Sequence, residues 1–199
     1  MTVSIVRLGA VLGLAGLLAA CANSRPTVDS GTVSYGDARA VEKLTNEFGS
    51  TDLQTIAETM ARSLAQTAAS YPTKPLVTIA DVKNRTSEYI DTRSITDSIQ
   101  TQLLKSGTMR FATDIADMQA QTDELARQNT SGLYKGRTIA KVGNMEGAKY
   151  RIEGAITSIV KRNSDVKDVW YKFTLKMTNI EAGTIEWIDE KEIRKTSLR

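Results

Sequence analysis

The chain has 199 residues, 41% of them hydrophobic and 25% charged, with a net charge of +3, which suits one domain with a packed core plus appendages. It has no histidine and a single cysteine, Cys21, so a Ser-His-Asp triad, a Cys-His dyad, an internal disulfide and a cysteine-rich zinc site are excluded. So slight a charge excess, with no dense basic stripe, argues against nucleic acid. Carboxylate-pair or lysine chemistry survives by composition alone, as it does in any chain of this size, and no cofactor or metal is expected.

In chain order, Arg7 precedes an apolar stretch from Leu8 to Ala20, about 13 residues, which fits a signal-peptide core and falls short of a bilayer span. It ends in Leu18-Ala19-Ala20-Cys21, which resembles a bacterial lipobox. That likeness implies cleavage before Cys21 and acylation of its thiol, and two or more acyl chains anchor firmly because each buried methylene adds about 0.8 kcal/mol. Ala22 in the next position resembles the pattern of lipoproteins sorted to the outer membrane. Residues 1–20 are therefore read as signal peptide and 21–50 as a lipid-anchored tether, with a short helical piece over Asp37–Leu44. Residues 51–199 are read as the globular domain. Fully extended, the tether reaches at most about 100 Å.

Ser50 or Thr51 is placed to cap a first helix, with Leu53, Ile56, Met60 and Leu64 at helical spacing, ending before Pro72. Leu76–Val82 reads as a strand buried on both faces, and Asn84-Arg85-Thr86 as the turn after it. A second helix over Thr92–Lys105 puts Ile95, Ile99 and Leu103 on one stripe, with Gly107 as its C-cap. Met109–Ala112 is a short strand. A third helix follows, capped by Asp114 and buried through Ile115, Met118 and Leu125. Gln128–Gly136 is a polar, mobile loop, and a fourth helix runs over Arg137–Glu146. Apolar and polar residues then alternate through Lys149–Val160, Val169–Met177 and Thr184–Glu192, with Ile185 and Trp187 on one side and turn residues at Asn179–Gly183. These three strands predict an antiparallel meander, and the whole an α+β fold: a small, mixed, largely antiparallel sheet flanked by helices.

The lipobox, the strand before Asn84-Arg85-Thr86, the run Gly147-Ala148-Lys149-Tyr150 entering a strand, and Glu181-Ala182-Gly183-Thr184-Ile185-Glu186-Trp187 form an ordered set. That set resembles the LpoB-like lipoprotein activators of penicillin-binding proteins over most of residues 51–193. The resemblance implies a fold like the TolB N-terminal domain. It also implies a monomeric, non-enzymatic lipoprotein on the periplasmic side of the outer membrane, which docks on a bifunctional peptidoglycan synthase and activates it in cell-wall synthesis. Against the family pattern the tether is short and holds only Pro26, where long proline-rich tethers are usual. Related folds without that role serve as assembly lipoproteins of secretion or flagellar systems, which is the alternative. Arg137, with Lys135 and Tyr134 beside it, is the candidate partner surface. Trp170, on one strand face with Lys172 and Lys176, is a candidate hot spot. Tyr150 and Trp187 follow the apolar alternation and are assigned to the core.

Overall fold

The structure, a computed structural model, describes residues 36–198. Cys21, Ala22, Pro26 and the signal segment lie outside the described residues. The compact unit begins at Arg39. It contains three α-helices, α1 (Ser50–Ala68), α2 (Thr92–Ser106) and α3 (Ile115–Thr130). The strands are β1 (Leu76–Ile79), β2 (Lys83–Arg85), β3 (Arg110–Phe111), β4 (Tyr150–Arg162), β5 (Val166–Asn179) and β6 (Ile185–Leu198).

The sheet is mixed, in the order β3-β1-β4-β5-β6, with β2 also paired to β4. β1 and β2 lie end to end along β4, both parallel to it, Val77 beside Tyr150 and Lys83 beside Ala155. The expected single strand Leu76–Val82 is thus broken after Ile79. Asn84 and Arg85 continue as a strand rather than forming the turn, which comes one step later because the Asn84 Oδ1 accepts from the Thr86 N–H at 2.9 Å and from its hydroxyl at 2.8 Å. The β4–β5–β6 meander is antiparallel as expected. Asn179 Oδ1 accepts from the Glu181 and Ala182 N–H groups, and Gly183 turns at a φ of 68°.

Helices α1 and α2 cover one face. Ile56, Met60 and Leu64 of α1, and Ile95, Ile99 and Leu103 of α2, meet Ile152 and Ile156 of β4 and Tyr171, Phe173, Leu175 and Met177 of β5 in one core. Each such side chain stabilises by about 1.5–3 kcal/mol on full burial. Tyr150 and Trp187 are buried, and the Trp187 indole N–H reaches the Ser63 hydroxyl at 3.2 Å. Among the described residues no helix packs on the opposite face, and β1 buries only Val77 fully instead of both faces. Ile185 departs from the alternation. A bulge pairs it with Thr178 while Trp187 pairs with Met177, so Ile185 leaves the face of Trp187 and is exposed. One extra residue in a strand reverses the facing of what lies beyond it. Val160 is also half out of the core, near the end of β4.

Helix caps follow the sequence closely for α2, where Asp91 accepts from the Arg93 and Ser94 N–H groups and Gly107 adopts a φ of 67°. For α1 the cap is Gly49, with Asp52 accepting its N–H at 2.9 Å, and Glu42 accepts the Ser50 N–H at 2.9 Å. An anion beside unpaired helix N–H groups is favourable. Residues 37–44 form turns and bends in place of the expected short helix.

Residues 42–49, read from the sequence as the end of the tether, are strapped to the domain. Asn46 donates to the Lys167 carbonyl at 3.1 Å, Phe48 stands edge-on to Tyr171 with ring centroids 5.8 Å apart, and the Phe48 N–H donates to Glu88 at 3.0 Å. Glu88 also accepts the Tyr171 hydroxyl, and Lys195 reaches Asp52 at 2.9 Å. Burial, then the hydrogen bond to Glu88 and the nearby carboxylates, push the Tyr171 phenol well above its usual range. The unfolded phenol ionises near pH 10 while the folded one stays protonated. This contribution is therefore complete below about pH 10 and declines by about 1.4 kcal/mol per pH unit above it. In denaturant unfolding, Tyr171→Phe should cost about 1–2 kcal/mol at pH 8 through the lost hydrogen bonds, and its deficit against the parent chain should shrink above pH 10. A deficit that stays constant to pH 11 would contradict the assignment.

Candidate functional site

Between β3 and β4 the chain makes an excursion of residues 112–149 that adds little to the core. It leaves the sheet through the Ala112 N–H on the Val77 carbonyl at 2.8 Å and returns through the Lys149 N–H on the Leu76 carbonyl at 3.1 Å. Ion pairs fasten it: Arg93 to Asp114 at 3.1 Å and to Asp117 at 3.7 Å, and Arg110 to Glu146 at 2.7 Å. Met118 and Leu125 of α3 are only half-buried, short of the buried inner side expected for this helix. Nothing is described of the Ile115 side chain.

The helix runs three residues further into the expected polar loop, to Thr130. There Gln128 accepts the Ala140 N–H at 3.1 Å and Asn129 donates to the Ala140 carbonyl at 2.9 Å. Two side-chain amides thus hold the returning segment as a neighbouring strand would. The expected fourth helix, Arg137–Glu146, is absent. Only a single 3-10 turn forms at Gly136–Thr138, after which Ile139 is extended and Gly143 turns at a φ of 87°. A ten-residue helix with an internal glycine and no buried face lacks the tertiary packing that sustains short helices.

This arm exposes apolar side chains without burying them: Leu133 is 80% exposed, Val142 70% and Met145 55%. A shallow groove of about 480 Å³ runs between α3 and the returning segment, floored by Ala120, Leu125, Ala140 and Met145 with Lys141 at its rim. Its charge is one-sided. Arg127, Lys135, Arg137 and Lys141 fall in a stretch, residues 125–145, with no acidic residue. Glu124, just before it, is held by Gln128 at 2.8 Å and by Arg127 at 2.7 Å, and these bonds keep its carboxyl below the usual range.

Of the residues singled out from the sequence, Tyr134, Lys135 and Arg137 come together on this arm. The Arg127 guanidinium lies over the Tyr134 ring, 5.2 Å from its centroid, a contact that fixes both at an exposed site. Lys135 precedes the 3-10 turn and Arg137 lies within it, both exposed. Trp170 is elsewhere. It lies on β5 opposite Ile159, on the uncovered face and only half-exposed. Ile159 stands nine residues from the root of the arm at Tyr150, roughly 30 Å along β4. Leu133, Val142, Met145, Arg127 and Lys141 were not singled out. The signal for them was the run without acidic residues, which the expected helix concealed.

The strap and the arm occupy opposite ends of the long hairpin. The arm rejoins the sheet at Tyr150, while the strap meets Lys167, which pairs with Arg162 at the far end of the 13-residue β4. The separation is about 40 Å. Among the described residues there is no group of three or more Asp, Glu or Cys placed to hold a metal ion, and no helix is long and apolar enough to cross a membrane.

Fold and site together define a two-layer α+β domain with an arm, residues 112–149, that exposes basic and apolar side chains outside the core. A family model described as peptidoglycan-synthase activator LpoB matches residues 52–193. The chain belongs to this family, which is one of regulatory activators. Similar solved structures include the LpoB C-terminal domain from Escherichia coli, at 15% identity and a TM-score of 0.40, covering 69% of this chain and 97% of that one. The corresponding domain from Salmonella enterica has 13% identity and a TM-score of 0.38, covering 71% and 94%. Lipoprotein GNA1162 from Neisseria meningitidis has 14% identity and a TM-score of 0.37, covering 62% and 84%. No curated protein sequence matches the chain.

Proposed function

We infer that this protein is an outer-membrane lipoprotein that binds a bifunctional penicillin-binding protein from the periplasmic side and stimulates it, acting as a monomer and performing no chemistry itself. One observation carries the reading: the arm of residues 112–149 exposes Leu133, Tyr134, Val142 and Met145 among four cations, at little benefit to the core. Apolar groups ringed by like charge suit a partner surface that is apolar at its centre and acidic at its rim. Tyr134, Lys135 and Arg137 are the contact residues of this reading.

The anchor is Cys21. Cys21→Ser should abolish acylation and move the chain from the membrane to the soluble envelope fraction, read by fractionation and by mass of the amino terminus. Unchanged partitioning would remove the lipoprotein half of the reading. The docking half is tested by capture of a purified bifunctional penicillin-binding protein on the immobilised full-length chain. Retention is expected, weakening as salt rises, and absence of retention at low salt would contradict it.

A further inference from the structure

The centre of the uncovered face, at Ile159 and Trp170, lies nine residues along β4 from the root of the arm and carries its own pattern. Across its centre Ile159, Trp170 and Arg194 stand side by side on β4, β5 and β6, with Ile159 53% exposed. The carboxylates of this face are largely neutralised within it. Glu153 is held by Lys176 at 2.9 Å, Glu190 by Lys172 at 2.7 Å and Asp168 by Arg194 at 2.8 Å. Glu192 is the exception among the described residues of the face. Asp168 also receives the Thr196 hydroxyl at 2.8 Å, so Asp168 holds the guanidinium of Arg194, whose strand position pairs with Trp170. On β2, Lys83 and Arg85 pair in register with Ala155 and Thr157 and so point to the same face, where they are exposed and form no ion pair among the described residues. The surplus on this face is therefore cationic.

We propose that this face, centred on Trp170 and flanked by Lys83, Arg85 and Arg194, binds a polysaccharide that carries carboxylates. The indole is half-buried between strand neighbours, which makes it a fixed plate for the C–H face of a sugar ring and leaves little side-chain entropy to lose on binding. The adjacent cations, at strand spacings of about 4.8 Å, cover roughly 15 Å from β2 to β6, a span of several sugar units with anionic substituents. A protein partner fits less well. Protein hot spots sit in desolvated pockets surrounded by an excluding ring, whereas this face is laced with ion pairs. The surface is independent of the arm, so the two are testable apart.

The test is co-sedimentation of the purified full-length chain, held in mild detergent, with insoluble peptidoglycan as the carboxylate-bearing probe and chitin as the uncharged one. Retention on peptidoglycan, weakening at high salt and absent on chitin, is the expected result. Trp170→Ala should weaken it about tenfold, as should the double change Lys83→Glu with Arg85→Glu, while the double change Lys135→Glu with Arg137→Glu should leave it intact. Should Trp170→Ala fail to fold by circular dichroism, the β2 pair decides, since those side chains are exposed. Failure of the parent chain to sediment, equal sedimentation of parent and face variants, equal retention on chitin, or a loss confined to the arm variant would each overturn the proposal.

Discussion

Gly154→Ala is expected to lower the stability of the domain by about 3 kcal/mol or more, the largest effect of any single methyl group added to this sheet. Gly154 lies in β4 opposite Leu175 of β5. A Cβ there would stand 2.1 Å from the Thr174 carbonyl oxygen, 3.0 Å from Leu175 Cδ1 and 3.2 Å from Leu175 Cα. Backbone of a neighbouring strand cannot turn aside as a flexible side chain can, so β4 and β5 would have to part at the middle of the meander. Glycine within a strand marks such a close approach. Gly136→Ala is the matched control, because no atom lies within 4 Å of its added Cβ, and it should fall within about 0.5 kcal/mol of the parent. Urea unfolding of both variants checks the pair. A Gly154→Ala chain as stable as the Gly136→Ala chain would mean that the register of β4 on β5 is not the one described.

The second large effect is on binding rather than stability. Reversing Lys135 and Arg137 to glutamate together should weaken capture of a bifunctional penicillin-binding protein by roughly ten- to a hundredfold, with most of the loss in the association rate and in its salt dependence. The melting temperature should not move, because both side chains are exposed and form no ion pair among the described residues. Tyr134→Ala tests a different contribution. It removes a ring held under Arg127, so it should speed dissociation with little change in salt dependence. If the charge reversals bind as tightly as the parent chain while Trp170→Ala does not, the docking surface would belong to the sheet face and not to the arm.

Those elements of the fold that carry strong periodicity were legible in the sequence. The stripes Ile56-Met60-Leu64 and Ile95-Ile99-Leu103, the Gly107 cap, the alternation through β5 and that of β4 as far as Ile156 all match the structure. Where local rules compete with tertiary ones, the reading slipped. The bulge that turns Ile185 away from Trp187 depends on pairing with Thr178, which alternation along one strand cannot reveal. The strap of residues 42–49 is held by partners more than a hundred positions away, the Asn46 amide on the Lys167 carbonyl and the Lys195 ammonium on the Glu47 carbonyl, and polar composition carries no sign of that. The returning part of the arm, Arg137–Glu146, reads as a fourth helix because it has tolerable helix formers, but it has no buried face to sustain them. Tyr134, Lys135 and Arg137, chosen by the likeness of Arg137 to a family arginine beside a polar loop, do lie together on this arm and are exposed. Trp170 was placed on the correct strand face, and only the pairing of β5 with β4 separates it from the others.

The most direct measurement is the rate of glycan polymerisation and peptide crosslinking by a purified bifunctional penicillin-binding protein, with and without the full-length chain. Stimulation of both steps is expected, saturating with the chain and lost with the Lys135→Glu and Arg137→Glu reversals. A synthase rate unchanged at concentrations where the chain is bound would contradict the assignment of this protein as an activator.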